Sequence, residues 1–438
     1  MKLIRTQGRN SRQAELIVSQ LERRGGASFE SVLPVVRKIL RDVRQKRDKA
    51  LRGYAQKLDN LASQAAIQVS PAETAAAWQQ IDPSLQQALK TAAANIRVFA
   101  ERQMPQSWQF SPAPGLTAGQ LVRTIESVGC YVPGGRHPLP STMLMTVIPA
   151  QVAGVRRIAV VSPRPAPETL ATAHLLGVTE FYRIGGAHAV AALAYGTGSI
   201  LPVSKIVGPG NLYVTAAKRE IASDSSIACT IDMLAGPTEI VVTSDYGTPE
   251  GIASDLVAQA EHDPESLAIF ITTNESLARA VIAETKQRSR NNSVAKQALR
   301  NNGYVFLAAG KDEAHAITNR LAPEHLTVDS ENDLTWIENA GSVFIGQHSP
   351  QPMGDYISGP NHTLPTGGMA KVRGGLSVMD LVKLITVQQY TPAGLATLGP
   401  QAIRLAEAEG LTGHAEAIRT RMKAQIQPQV KSGKRVKA

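Results

Sequence analysis

A carboxylate and an imidazole stand side by side at Glu324 and His325, behind Ala322 and Pro323. Imidazole changes charge near neutrality, and a neighbouring carboxylate can tune it or take a second proton, so the pair suits general acid/base work. Proline fixes its own φ and biases Ala322 towards an extended backbone, which predicts a stiff loop beneath both side chains. Further polar groups are spread along the chain. Gln259 and His262 lie three apart on one face of a helix opened by Thr248 and Pro249. Asp355 and His362 sit in a glycine-rich loop, and Glu409 and His414 flank a helix break. Each alone is ordinary surface polarity; brought together, these oxygen and nitrogen groups can close one site.

Two glycine turns add a second kind of chemistry. Gly185 and Gly186 lead into an alanine-rich helix that carries His188, and Gly208-Pro209-Gly210-Asn211 leads into a helix over 213–221. Glycine lets a backbone approach phosphate closely, and a helix start offers free N–H groups to an anion. Neither turn is a Gly-x-Gly-x-x-Gly fingerprint, so each alone is a tight turn and only the two together make a nucleotide site thinkable.

The elements that must position these groups are legible in the apolar pattern. Residues 11–60 and 83–102 read as amphipathic helices, with Val32, Val35, Val36, Ile39, Leu40 and Val43 recurring at helical spacing. Beyond residue 125, short apolar runs alternate with helical stretches. Strands are expected at 157–162, 180–184, 205–207, 239–243, 267–272, 304–307, 325–328 and 342–345. That alternation predicts an α/β fold of repeated βαβ units, a largely parallel sheet with helices on both faces. The reading puts His325 at the amino end of its strand, whereas open α/β sheets bind ligands beyond the carboxyl ends. Either the strand starts later or the site lies in a cleft that this rule does not govern.

With 438 residues the chain exceeds one ordinary core. The net charge of +10 suggests a polyanion partner until it is located. Residues 1–57 hold fifteen Lys and Arg against five Asp and Glu, and residues 417–438 hold seven with no acid, so the body between is net acidic. That distribution and a 4% aromatic content argue against a nucleic-acid groove. No apolar run reaches the ~18 residues of a membrane span. Cys130 and Cys229 form no metal spacing or disulfide framework, which points to a reducing compartment, the cytoplasm. Lys2, Arg5, Arg9 and Arg12 precede the first acid and leave a plastid-type transit leader as the alternative to a plain basic start. Residues 426–438 read as a disordered basic tail.

In its motifs the chain closely resembles the histidinol dehydrogenase family. The motifs are Tyr131-Val132-Pro133-Gly134-Gly135, Gly208 to Asn211, Ile231 to Met233, Ala235 to Pro237, Gln259 to His262, Ala322 to Leu326, Gly354 to Tyr356, Asn361 to Pro365 and the Glu409 and His414 pair, spread over about 30–422. The resemblance implies oxidation of L-histidinol to L-histidine through the aldehyde in two NAD-dependent steps, the last of histidine biosynthesis. It implies one zinc per subunit held by Gln259, His262, Asp355 and His414, with His414 supplied across a domain-swapped homodimer that shares its active sites. Glu324 and His325 would accept protons. Thr238, His362 and Glu409 would contact the substrate together with His325 and the metal ligands. Tyr131, His188 and Asn211 would line the cofactor site. Residues 1–25 would be an N-terminal helical arm, 26–130 plus 238–375 a first Rossmann-like domain carrying most site residues, 131–237 a second on the NAD side, and 376–425 a C-terminal helical arm reaching the partner.

Two positions depart from the family's usual pattern, His188 for glutamine and Thr238 for serine. Threonine keeps the hydroxyl in a tighter pocket. Imidazole cannot donate and accept from one end as an amide does, so weaker or pH-dependent cofactor binding is expected. The ligand set would also accept manganese. Competing readings are a related zinc and NAD dehydrogenase acting on another small alcohol such as a sulfonated propanediol, and a non-catalytic polyanion-binding paralogue. Glu409 suits a cationic amino alcohol and opposes the first, and the intact Glu324, His325 and ligand positions oppose the second.

Overall fold

The computed structural model describes residues 1–25, 29–134 and 138–424, and its chain divides into two compact units. The larger holds residues 1–104 and 125–381, and the smaller holds 105–124 with the chain from Val382 onward. Gly135 of the Tyr131 motif and the tail expected at 426–438 lie outside the described residues.

The larger unit begins with β1 (Lys2–Arg5), α1 (Ser11–Glu22), α2 (Leu33–Leu58), α3 (Pro71–Gln80) and α4 (Pro83–Arg102). After β2 (Trp108–Ala113) and β3 (Leu116–Thr124) of the smaller unit come β4 (Ser127–Tyr131), α5 (Pro140–Ala153), β5 (Arg157–Val161), α6 (Pro167–Leu175), β6 (Glu180–Tyr182), α7 (Gly186–Tyr195), β7 (Lys205–Val207), α8 (Leu212–Ala222) and β8 (Thr230–Ile231). A second series follows: β9 (Glu239–Thr243), α9 (Pro249–Ala260), β10 (Leu267–Thr272), α10 (Glu275–Arg288), α11 (Ser293–Asn302), β11 (Gly303–Leu307), α12 (Lys311–Leu321), β12 (His325–Val328), β13 (Ser342–Ile345) and α13 (Pro352–Tyr356). The smaller unit closes with β14 (Val382–Tyr390), α14 (Pro392–Ala408) and α15 (Thr412–Ala424).

The second series builds a six-stranded parallel sheet in the order β1-β11-β10-β9-β12-β13. Its central strands are apolar almost throughout because both faces are covered. Ile240, Val242 and Phe270 pack under α9, α10 and α11, while Val241, Ile269, Ile271 and Leu326 meet Val18 of α1 and Ile317 and Leu321 of α12. The first series builds a five-stranded parallel sheet, β6-β5-β4-β7-β8, with α2, α7 and α8 sharing one core against Ala159, Val161 and Ile206. No described helix is long and apolar enough to cross a membrane.

The α/β class and all eight expected strands are present. The sheets divide the chain differently from the expected ranges. β4 begins at Ser127, ahead of residue 131, yet pairs with β5 and β7, and α2 packs on the same sheet, so much of 26–130 serves the second sheet rather than the first. The N-terminal arm is not purely helical, since β1 extends the first sheet beside β11. Nor is the C-terminal segment: Val382-Lys-Leu-Ile-Thr-Val-Gln-Gln-Tyr390, rich in residues that favour an extended backbone, pairs antiparallel with β3 in a three-stranded sheet, β14-β3-β2. In this smaller unit Trp108, Phe110, Leu384, Ile385, Leu405 and Leu411 are each at least 41% exposed.

Candidate active site

Strand order reverses between β4 and β7 in one sheet and between β9 and β12 in the other. The first reversal obeys the carboxyl-end rule for ligand crevices. Beyond β4 lies Pro133 and beyond β7 lie Gly208 to Gly210, and both border a cleft of about 280 Å³. The opposite wall comes from the amino ends of the other sheet: Thr238 just ahead of β9, and Glu324 and His325 at the start of β12. At the carboxyl ends of that sheet the crevice is occupied by its own side chains. The Ser244 hydroxyl and the Asp245 N–H donate to Asp329, and the Thr273 N–H donates to Asp245 at 2.7 Å. The chemistry therefore sits at the unconventional edge of one sheet facing the conventional edge of the other.

Ala322 differs from expectation. Instead of extending, it closes α12 in the left-handed region at φ 44°, its N–H donating to Thr318 O, and it is fully buried. The helix end thus turns abruptly through Pro323 into Glu324. Glu324 Oε2 accepts from the Thr238 hydroxyl at 2.6 Å and from the Glu239 N–H at 2.8 Å. Thr238 in turn accepts from the amide of Gln259. His325 Nδ1 donates to the carbonyl of Glu239 at 3.0 Å, which sets the tautomer of the neutral ring, with its lone pair on Nε2. That Nε2 is buried with no hydrogen-bond partner, 3.7 Å from Asp355 Oδ1.

Electrostatics follow from this packing. Burial pushes the Glu324 carboxyl up to about 7, against the pull of His325 and the two hydrogen bonds. For His325 burial works downward, but the Glu324 and Asp355 carboxylates outweigh it and hold the imidazole above its ordinary value. The two side chains lie 3.6 Å apart and titrate as a pair. Asp355 is also opposed by burial, yet His325 keeps its carboxyl below the usual range. His362 donates through Nδ1 to the Asp355 carbonyl at 2.8 Å and faces the Thr142 hydroxyl through Nε2; burial lowers its pKa.

A family model for histidinol dehydrogenase matches residues 22–422. The chain belongs to the histidinol dehydrogenase family. It is 43% identical to the histidinol dehydrogenase of Methanothermobacter thermautotrophicus over 419 residues, 93% of this chain and 97% of that one. It is 43% identical over 403 residues to the histidinol dehydrogenase of Bacillus anthracis, covering 90% and 93% of the two chains. The crystal structure of histidinol dehydrogenase from Elizabethkingia anophelis superposes with a TM-score of 0.91 at 35% identity, over 98% of this chain and 99% of that chain.

Among the residues that the family resemblance singles out, Thr238, Gln259, His262, Glu324, His325, Asp355 and His362 gather on this cleft. Glu409 and His414 are exposed on the smaller unit, at the end of α14 and in the first turn of α15. Tyr131 is buried, and its hydroxyl accepts from the Gly186 N–H at 2.9 Å. Asn211 caps α8, accepting from the N–H groups of Tyr213 and Val214. Like Tyr131 and Asn211, His188 does not line this cleft. It is fully buried, its Nε2 donates to Asp59 Oδ2 at 2.7 Å, and that same oxygen accepts from the Gly185 N–H at 3.0 Å.

Among the described residues no three His, Cys, Asp or Glu side chains gather as metal ligands. What the cleft does hold fits an incomplete cation site. Gln259 Oε1 is buried and unpartnered, Asp355 is held ionised, and His262 stands exposed at the rim. An oxygen and nitrogen set of this kind suits zinc or manganese.

Sequence reasoning missed three supporting residues. Gln351 donates to Asp355 Oδ2 at 3.0 Å, and the four-residue spacing was the available signal. Lys218, on α8, is buried against Asp232 and donates to Gly208 O at 2.9 Å; Asp232 Oδ2 accepts from the Gly208 N–H at 2.8 Å. Together they brace the Gly208 turn.

Proposed function

We propose that this chain oxidises L-histidinol to L-histidine through histidinaldehyde, with two NAD reduced per turnover, as the closing step of histidine biosynthesis. The observation that carries the reading is the His325 imidazole. Its Nδ1–H is tied to the Glu239 carbonyl, and its buried Nε2 makes no hydrogen bond and is the nitrogen left to exchange a proton.

In the first oxidation His325 Nε2 takes the hydroxyl proton while the carbinol C–H bond gives up hydride, leaving the aldehyde. Pro133 and the Gly208 turn would form the wall that holds NAD, whose chemistry would be to take up hydride. For the second oxidation Glu324 draws a proton from the water that adds to the aldehyde while His325 returns its proton to the aldehyde oxygen, giving the hydrate; loss of a hydride and a proton then yields the carboxylic acid, which ionises to the carboxylate. The Glu324 pKa near 7 suits it to take and return protons at neutral pH. Gln259, His262 and Asp355, with His414 of the partner subunit, would hold zinc, which would supply an anchor for the substrate's nitrogens.

Tyr131 and Asn211 would support the cofactor side, while Thr238, His362 and the partner subunit's Glu409 would meet the substrate. Glu409 favours the cationic amine of histidinol over an anionic alcohol. A homodimer with shared sites is supported by the smaller unit itself, whose apolar residues remain open within one chain. We assign the protein to the cytoplasm, in keeping with its two free, buried cysteines.

The test is His325→Asn, assayed for turnover and zinc content. Turnover should fall by roughly 10²–10⁴-fold with zinc near wild type; full turnover, or loss of zinc in proportion to activity, counts against the role given to His325.

A further inference from the structure

We infer that Arg24, acting through Glu239, is the positioning residue of the acid/base pair, which makes the end of the N-terminal arm a working part of the active site. The inference rests on the reading of Glu324 and His325 as the reacting groups.

One residue, Glu239, touches both members of the pair through its backbone. Its N–H donates to Glu324 Oε2 at 2.8 Å and its carbonyl accepts from His325 Nδ1 at 3.0 Å. A shift at this position moves the carboxylate and alters the imidazole tautomer together. Glu239 opens β9, where it pairs with Leu267 of β10, and Thr238 O just ahead of it accepts from the Leu267 N–H at 3.0 Å. A further restraint comes from its buried side chain. Arg24 grips the carboxylate through Nε and Nη2, both at 2.6 Å, and the Gly367 N–H donates to it at 2.9 Å.

Arg24 also restrains the other approach to the site. Its Nη2 donates to Leu321 O at 2.8 Å, and Leu321 is the last residue of α12, three before Glu324. Its Nη1 is anchored on Leu21 O at 2.7 Å, at the end of α1. A single planar guanidinium thus ties the start of β9 to the end of α12, the two segments that deliver Glu239 on one side and Glu324 with His325 on the other. Lysine, a point charge on a flexible stem, cannot make these directed bonds together. A buried ion pair is a poor source of net stability against an apolar pair of similar size, whereas a bidentate pair fixes direction.

The experiment uses full-length, zinc-loaded Arg24→Met and Arg24→Lys. Arg24→Met should lower kcat by roughly 10–100-fold, the scale of a small misplacement of reacting groups. KM for histidinol and NAD and the zinc content should stay within about twofold. Arg24→Lys retains the charge that keeps Glu239 paired and should fold even if Arg24→Met does not; its kcat should lie between the two. In histidine-labelled protein the ring nitrogen shifts of His325 should move from the Nδ1–H form towards a mixture in either variant. Wild-type kcat in Arg24→Lys, or a lower melting temperature with kcat and the His325 shifts unchanged, overturns the positioning role. Were His325→Asn fully active, the assignment of the pair itself would fail, a result distinct from any given by Arg24.

Discussion

His325 Nδ1 donates to the backbone carbonyl of Glu239 at 3.0 Å, and this bond decides which nitrogen of the imidazole can act as base. A carbonyl only accepts, so one proton is held on Nδ1 and Nε2 is the nitrogen left to exchange a proton. Glu324 is anchored to the same residue by the amide on its other side. Two proton acceptors with different reach are therefore aligned by one strand end, as an alcohol oxidation followed by hydration and a second oxidation requires.

The division of labour between them is testable. In Glu324→Gln the amide oxygen can still accept from Thr238 and the Glu239 N–H, so the loop should keep its shape while losing its proton acceptor. Single-turnover kinetics should give a first NADH at near the wild-type rate and a second slowed by about 10²–10⁴-fold. Equal slowing of both phases would refute the assignment of Glu324 to the hydration step.

Gln351 supports Asp355 from behind through one amide hydrogen bond. Replacing it with leucine should weaken zinc binding by roughly 10–100-fold, the usual cost of losing a partner of a ligand. Zinc retained after dialysis against a graded chelator reads this directly, and activity should return at excess zinc. Wild-type retention would mean that Asp355 is positioned by its other contacts alone.

Gly208 tests the cofactor wall. Its φ of 106° is glycine's territory, and a Cβ there would run into the carbonyl oxygen of Tyr131. Gly208→Ala should destabilise the fold by about 1–3 kcal/mol and raise KM for NAD, with KM for histidinol little changed. An unaltered NAD response in folded protein would move the cofactor away from this turn.

Much of this was readable from residue types because buried parallel strands declare themselves as short, continuous apolar runs, such as Leu267 to Thr272. The antiparallel sheet was not, since β14 mixes Val, Ile and Leu with Lys, Thr and Gln, and both of its faces carry exposed side chains. The burial of His188 was not readable for a different reason. Its position just after Gly185 and Gly186 suggests a mouth, but what removes it from the cleft is Asp59, distant in sequence and unremarkable in its own neighbourhood. The pairing of Glu324 with His325 was plain, whereas the backbone of Glu239 that orients both carries no sequence signal.

The proposed sharing of sites has a genetic-style test in solution. His325→Asn and His414→Asn should each be nearly inactive alone. Subunits mixed, dissociated and reassociated should recover about a quarter of wild-type activity, because half the dimers would be mixed and each would hold one intact site. No recovery, with hybrid dimers present, would mean that His414 does not act across the two-fold axis.

The most direct measurement of the central claim is the stoichiometry of the zinc-loaded protein with limiting L-histidinol and excess NAD. The account predicts two NADH and one L-histidine for every histidinol consumed. One NADH with accumulation of the aldehyde, or no reduction of NAD, would contradict it.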